Sequence, residues 1–429
     1  MLYLNQTYQV RHTGYDFSSV FLPAFYRRKG FMKNIKFMAA VCASLSLALL
    51  LGGCGTTPVP ELVPVQEETE SIPEQNSMED GVKAGVFYYS FSDTYLAGVR
   101  TYLDIALYEA GIQFVNYDAQ SSQSVQNGQI DTALSSGINL LIVNLVSAGN
   151  TEAATEIIEK ARHRNVQVIF FNKPIEGEDE EGTLLNEYDN IAFVGTDAAQ
   201  SGHMQGQMIG EYVRDHYSET DLNGDGVISY ALFKGEALNP EAIYRTRYSV
   251  EDADAVLEEA GYPHLEYFDP SNYDHFQLDL AGTWSDDAAK RYMLANLEEY
   301  GIPRDNMIEL VICNNDNMAE GVIAALNEYG YNTGVEGSVT IPVFGVDATD
   351  YARQLIASGR MTGTIVQDAE KMAGIITHLA VNASEEKDLM EDVFSKFPGT
   401  ESGIRNKVII PYSFYDPEEY QPGSPGSDD

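Results

Sequence analysis

The stretch Asp221-Leu-Asn-Gly-Asp-Gly-Val-Ile-Ser229 sets oxygen-bearing side chains at alternate positions, Asp221, Asn223 and Asp225, with Gly226 next to allow a sharp turn. Hard oxygen donors spaced this way on a short loop are what Ca²⁺ requires, and Ser229 stands where a ninth-position ligand often sits. A twelve-residue calcium loop closes with a bidentate Glu, yet that place holds Leu232, inside an expected strand. On these residues alone several readings stay open. The loop is incomplete, or a carboxylate from elsewhere completes it, or it is a polar Asp/Asn/Gly turn without metal.

A second set of candidates is planar polar side chains late in, or directly after, apolar runs. Asp93 follows the first run, Asn144 sits late in the third, and Asn172-Lys173 follow the fourth. Further on, Asn314-Asn315-Asp316 follow Leu310–Cys313, Asp347 follows Phe344-Gly-Val, and Gln367-Asp368 follow Thr364-Ile-Val. In open α/β sheets, ligands bind at these carboxyl ends of strands. Asp and Asn also cap helices there, which explains any single one of them. Their recurrence at equivalent strand ends suits a polyhydroxylated ligand, because carboxylate, amide and guanidinium groups hydrogen-bond adjacent hydroxyls in pairs. Trp284, the only Trp, and Tyr95 offer flat faces for the C–H face of a pyranose, although core packing accounts for either ring as well.

No phosphate loop, Gly-x-Gly-x-x-Gly, Gly-x-Ser-x-Gly or His-Glu-x-x-His motif is present, and the seven histidines share no ligand spacing. The chain therefore reads as a non-enzyme.

The elements that must position these residues alternate between strand and helix. Strands are expected at Val86–Ser90, Ile112–Tyr117, Ile138–Val146 and Val166–Phe171, with helices over Thr94–Ala110, Ser122–Ser136 and Thr151–Arg164. Glu176–Asn190 reads as an exposed acidic loop. A second run of the same kind begins at Ile191 and continues through Val227–Phe233, Glu309–Cys313, Val339–Val346 and Gly363–Val366. Continuous apolar strands separated by amphipathic helices predict parallel sheets covered on both faces, so the coarse architecture is α/β with two doubly wound units. The aromatic-rich segment Gly261–Gln277 fits no element.

The 429 residues carry a net charge of −39; residues 1–53 are net basic at +5, leaving −44 on residues 54–429. Such a body argues against nucleic acid or anionic lipid as a direct ligand. Arg27-Arg28-Lys29, Lys33 and Lys36 precede an apolar run from Phe37 to Leu51, which ends in Leu51-Gly-Gly-Cys54. This is the pattern of an export signal, with Met32 the expected start. Cys after Leu-Gly-Gly resembles a bacterial lipobox, so Cys54 is expected to be acylated and to anchor the protein on the outer face of the cytoplasmic membrane. Residues 54–80, rich in Pro and Glu, read as a disordered tether, and residues 417–429 as a disordered tail. Cys313, in an apolar run, is expected to be a buried thiol without a disulfide partner.

Residues 83–415 resemble the periplasmic galactose/glucose-binding proteins of sugar ABC importers. The likeness rests on Asn144-Leu-Val, Phe170-Phe-Asn-Lys173, Val194-Gly-Thr-Asp197, Asp221-Leu-Asn-Gly-Asp225, Lys234-Gly-Glu236, Asn314-Asn-Asp316 and Phe344-Gly-Val-Asp347, all in the family's order. The resemblance implies two Rossmann-like lobes of doubly wound parallel sheet joined by a three-segment hinge, with sugar bound between them. The lobes are then expected at 81–172 plus 367–405 and at 173–366 plus 406–416, the second carrying the calcium loop. It assigns hydrogen bonding to Asp93, Asn144, Arg245, Asn315 and Asp347, and the aromatic sandwich to Trp284 and Tyr95. It also assigns Ca²⁺ to the loop as a structural ion, held by Asp221, Asn223, Asp225, the Val227 carbonyl, Ser229 and Glu309, which supplies the missing carboxylate.

Three positions depart from the family. Asn239 stands for a His, Glu241 for an Asp and Gln367 for an Asn. One added methylene moves a carboxylate by about 1.5 Å, and an unpaired buried polar group costs roughly 1–3 kcal/mol. Such changes are large enough to alter which epimer is preferred. The expected function is capture of a monosaccharide, galactose or glucose, and delivery to an ABC permease by a monomer, with a chemoreceptor as a further partner. The competing readings are a sugar-sensing partner of a chemoreceptor or sensor kinase, and a calcium-dependent adhesion or scaffold module. The latter normally repeats its loop, which here occurs once.

Overall fold

The computed structural model describes residues 81–303 and 306–418. The expected signal, Cys54, the tether and all but the first two residues of the tail lie outside them. The first lobe opens with β1 (Lys83–Tyr88), α1 (Thr94–Glu109), β2 (Gln113–Asp118), α2 (Gln123–Ser135), β3 (Leu140–Val143), α3 (Thr151–Arg162) and β4 (Gln167–Phe171). It continues through the short α4 (Thr183–Glu187) to β5 (Ile191–Thr196). The chain then crosses into α5 (Ala198–Asp215), α6 (Tyr217–Thr220), β6 (Ser229–Lys234), α7 (Pro240–Ala260), β7 (Glu266–Tyr267), β8 (Gln277–Leu278) and α8 (Asp286–Tyr300). The second lobe is completed by β9 (Leu310–Cys313), α9 (Asp316–Glu328), β10 (Val343–Asp347), α10 (Asp350–Ala357) and β11 (Gly363–Val366). A return passage gives α11 (Ala369–Ser384), α12 (Val393–Lys396) and β12 (Lys407–Ile410) before β13 (Ser413–Phe414).

Two sheets result, ordered β12-β5-β4-β3-β1-β2 and β13-β11-β10-β9-β6-β7, with β8 also on β6. Every pairing between these strands is parallel except β11 with β13. The α/β architecture with two doubly wound sheets is as expected, and the chain passes between sheets three times, after β5, β11 and β12.

The lobe boundaries differ from those expected. Phe170 of β4 pairs with Phe193 of β5, and β5 pairs in turn with Val408 of β12. The first lobe therefore keeps residues to Thr196 and reclaims Lys407–Ile410, instead of ending at 172 and 405. A fully apolar strand carries no mark of which sheet it joins, and Ile191–Val194 satisfies either.

The segment 176–190 is not simply an exposed loop. Glu176 is buried and accepts the amides of Gly182 and Leu184, while Leu184 and Leu185 pack into the lobe's core. Residues 261–277 supply β7 and begin β8, which pair with β6, and Tyr267 and Phe268 join the second core.

Helices cover both faces of each sheet. In the first lobe one face buries Tyr88, Leu103 and Ile142 against Met372 and Ile376 of α11, and the other buries Phe87 and Leu141 against Ile130 and Ile157. Each such fully buried side chain contributes roughly 1.5–3 kcal/mol. In the second lobe, α5 lies unusually close to α7. A Cβ on Gly202 would stand 2.4 Å from the Tyr244 carbonyl oxygen, and one on Gly206 would stand 2.3 Å from that of Tyr248. That close packing brings Ser201 onto Arg245 and Glu241, where the lobes meet.

Candidate functional site

The carboxyl ends of both sheets face one slot. It is small, about 40 Å³, and is lined by Tyr89, Asp93, Tyr95, Asn172 and Lys173 from the first lobe. Asn239, Glu241, Arg245, Trp284, Asn315, Asp347 and Gln367 complete the wall. Nine of the ten residues expected to bind sugar are therefore brought together.

Several of these residues cap a helix and face the slot at once. Asp93 accepts from the Leu96 amide at 2.8 Å through one oxygen and from the Tyr89 hydroxyl at 2.6 Å through the other. Asn315 spends its carbonyl oxygen on the Met318 amide, leaving its NH₂ available to the slot. The capping reading and the binding reading thus hold together, because a carboxylate or amide has more lone pairs and protons than a cap consumes.

Arg245 is buried and heavily engaged. Its Nε donates to Ser201 Oγ, its Nη1 to the Asn314 carbonyl, and its Nη2 to Glu241, Gln367 and Tyr412. Of five guanidinium protons, one on Nη1 remains, and Asp347 Oδ1 lies 3.8 Å from that nitrogen. Asp347 is poorly satisfied: its side chain is 3% exposed, and no donor among the described residues hydrogen-bonds its carboxyl oxygens. Burial pushes its carboxyl well above the usual range, with Arg245 opposing. Its φ is +122°, and Ala348 follows at +56°, so the strand end is held in a backbone region that costs about 1–3 kcal/mol.

Trp284 is 7% exposed with φ +56°, and its indole lies against Gly235, where an added Cβ would come 2.2 Å from the ring. Only glycine permits that approach. Tyr95 is buried with its hydroxyl directed at Met372 Sδ. Glu241 lines the slot but gives one oxygen to Thr196 and the other to Ser201, Arg245 and Tyr412. These bonds tie it into the network of Thr196, Arg245 and Tyr412 where the lobes meet.

At the expected calcium loop, the fully buried Glu309 binds the loop backbone through its carboxyl group. One oxygen accepts from Leu222 N (2.7 Å) and Asn223 N (3.1 Å), the other from Ser229 N (3.1 Å). Burial, opposed by these bonds, raises its carboxyl to about 7. Asp221 accepts from the Gly224 and Gly226 amides, and Asp225 from Val227 N and Asn223 Nδ2. Donor chemistry and location suit a hard cation. Among the described residues, however, no three acidic, His or Cys side chains are disposed around one point for a metal, because the carboxylates turn toward loop amides.

A family model described as a periplasmic binding protein domain matches residues 84–388. The D-galactose/methyl-galactoside binding periplasmic protein of Haemophilus influenzae is 33% identical over 332 residues, covering 77% of this chain and 88% of that protein. The chain belongs to the periplasmic binding protein family. A solute-binding protein of an ABC transporter from Bacillus halodurans, solved with myo-inositol, shares the fold at TM-score 0.56 and 24% identity over 79% of this chain and 96% of that one. Another from Clostridium phytofermentans, solved with β-D-glucose, does so at 0.57 and 17%, over 79% and 95%.

Within this family fold, Asn144 does not line the slot. It lies behind the strand ends, where its oxygen accepts from Tyr89 N and its NH₂ donates to the Phe171 carbonyl and Asn172 Oδ1. It positions Tyr89 and Asn172 instead of reaching into the slot. Those two and Lys173 are lining residues outside the expected set. Asn172-Lys173 carried the strand-end signal, whereas Tyr89 looked like one more strand residue.

Lys173 joins the lobes. Its buried ammonium donates to the Val146 carbonyl at 2.9 Å and to Glu236 of the second lobe at 3.1 Å, and sits 3.8 Å from the centroid of Tyr89. Lys173→Met keeps the apolar stem and removes this link. Ligand affinity should fall roughly 5- to 30-fold, about 1–2 kcal/mol, mostly as faster release in stopped-flow measurements.

A half-buried acid away from the lobes' contact makes a pH prediction. Burial raises the Glu320 carboxyl from 4.5 to about 7. The native state then binds more protons than the unfolded chain between those values, so stability falls as pH rises through that window. Glu320→Gln should be more stable than wild type at pH 8 by on the order of 1 kcal/mol, with the gap closing by pH 4 in thermal melts.

Proposed function

We propose that this protein captures a monosaccharide, D-galactose or D-glucose, between its lobes and delivers it to an ABC permease outside the cytoplasm, without chemical conversion. The observation that carries the reading is Asp347. A buried carboxylate without a hydrogen-bond donor among the described residues, 3.8 Å from Arg245 and sharing one slot with Asn315, Trp284 and Tyr95, is a receptor for hydroxyls on a flat ring. Closure of the hinge about the three crossings buries the sugar, and the closed shape is what the permease engages. The Haemophilus influenzae relative, named for D-galactose and methyl-galactoside, supports the choice of hexose.

The same reading gives the loop a structural Ca²⁺, held by Asp221, Asn223, Asp225, Ser229 and Glu309 through side chains and by Val227 through its carbonyl. The ion offsets most of the charge of three carboxylates and ties the loop to the residue preceding β9; it does not touch sugar. Adding chelator to the purified chain should lower its melting temperature by several degrees, reversibly with added Ca²⁺, by the mass-action stabilisation of a bound state.

Trp284 is the only Trp in 429 residues and lines the slot, so its emission reports occupancy directly. Titration with D-galactose or D-glucose should produce a saturable change at micromolar concentrations. No change with either hexose, in a protein folded by circular dichroism, would overturn the assignment.

A further inference from the structure

The slot is not the larger space between the lobes. A cavity of about 470 Å³ adjoins it, and Asn172 and Glu241 line both. One side is built by the first lobe, through Phe193 of β5, Ile404 and Lys407. The other is built by α7 and the start of α5, through Tyr244, Tyr248 and Ala199.

The wall decides what such a space accepts. Among the described residues Lys407 is its one cationic side chain and is paired with Glu181. Five carboxylates line it, so a phosphorylated or uronic group is repelled. Glu176 and Asp197 accept loop or helix amides, and Glu241 is held by the hinge network. The fifth carboxylate is Glu401, and the rest of the lining is mostly apolar or hydroxylic. Tyr244 and Tyr248 stack with rings parallel, 5.5 Å apart, Tyr248 also stacks on His203 at 3.8 Å, and Phe193 of the opposing lobe is 5% exposed. The tyrosines therefore offer ring edges and hydroxyls, polar and apolar together, which suits a neutral sugar ring.

We propose that the interlobe cleft accepts a neutral disaccharide, with one ring in the slot and the second in the adjoining chamber against Tyr244, Tyr248 and Phe193. This rests on the sugar-capture reading of the slot and extends it to a larger substrate class. The volume suffices, since small-molecule sites commonly occupy about 300–1,000 Å³. The chamber's lining from both lobes means that a second ring there would be enclosed by the same closure.

Isothermal titration of the purified full chain with D-galactose, D-glucose, lactose, melibiose, maltose and cellobiose tests this. At least one disaccharide should bind within tenfold of the tighter monosaccharide. Two chamber variants, Ala199→Phe, which fills it, and Tyr248→Ala, which strips its wall, should weaken that disaccharide tenfold or more. Both should leave monosaccharide affinity within threefold. If the monosaccharides bind and all four disaccharides are more than tenfold weaker, the proposal falls while sugar capture stands. The same holds if both folded variants bind disaccharide unchanged. Disaccharide binding without monosaccharide binding would retain the chamber and remove the single-ring reading. A folded protein that binds none of the six would remove both.

Discussion

Asp347→Asn should weaken hexose binding roughly 30- to 1,000-fold, about 2–4 kcal/mol, while leaving the ligand-free protein as stable as before or slightly more so. The two halves of that result have one cause. Asp347 is buried, accepts no hydrogen bond from the described residues, and meets Arg245 only at 3.8 Å. In the empty protein its charge is therefore a cost, and exchanging it for an amide of the same shape relieves it. Asn also tolerates the left-handed φ that this position requires. With sugar bound, the carboxylate would accept hydroxyl donors in a site closed to water, where charge-assisted bonds are strongest. Melting temperature and calorimetric affinity should therefore move apart. A purely structural Asp347 would instead lose stability when replaced and leave affinity alone.

Glu309→Ala should have the opposite profile, with a large loss of stability and only an indirect effect on sugar. Three amides, those of Leu222, Asn223 and Ser229, lose their acceptor at once. Each buried donor left unpaired costs roughly 1–3 kcal/mol. The Leu222 and Asn223 amides are only half-buried and fall toward the low end, so the sum is on the order of 3–6 kcal/mol. That corresponds to a fall in melting temperature of about 5–10 °C or more. The variant should also lose the response to chelator that wild type shows. Retained chelator sensitivity would place the ion elsewhere, and unchanged stability would contradict the geometry of the loop itself.

Much of this was legible in the sequence for identifiable reasons. The alternation of apolar strands with capped helices specified two parallel sheets, because a strand buried on both faces can carry almost no polar residue. Polar residues at strand ends are conspicuous against that background, and so Asp93, Asn315 and Asp347 could be named. Glu309 was reached through the resemblance, since it lies 80 positions beyond Ser229 and nothing local marks it.

What escaped depended on pairing between distant segments. Ile191–Thr196 is equally apolar toward either sheet, and only its registry with Phe170 and Val408 places it in the first lobe. Asn144 was named as a ligand residue, but its amide is consumed by Tyr89 and Phe171, a matter of direction that residue type does not encode. Glu241 shows the same limit: its carboxylate is taken up by Thr196 and Tyr412, which residue type alone does not reveal. Lys173 carries a signal only once Glu236 is known to face it across the lobes.

The central claim is that Asp347 and its neighbours form a receptor for a single hexose. Titration calorimetry of wild type and Asp347→Asn in parallel, against D-galactose and D-glucose with Ca²⁺ present, tests it most directly. Wild type should bind at least one hexose at one site with micromolar or tighter affinity. The variant should lose 30-fold or more, with both proteins equally folded. No heat from either hexose in a folded wild type, or equal affinity in the two proteins, would contradict it.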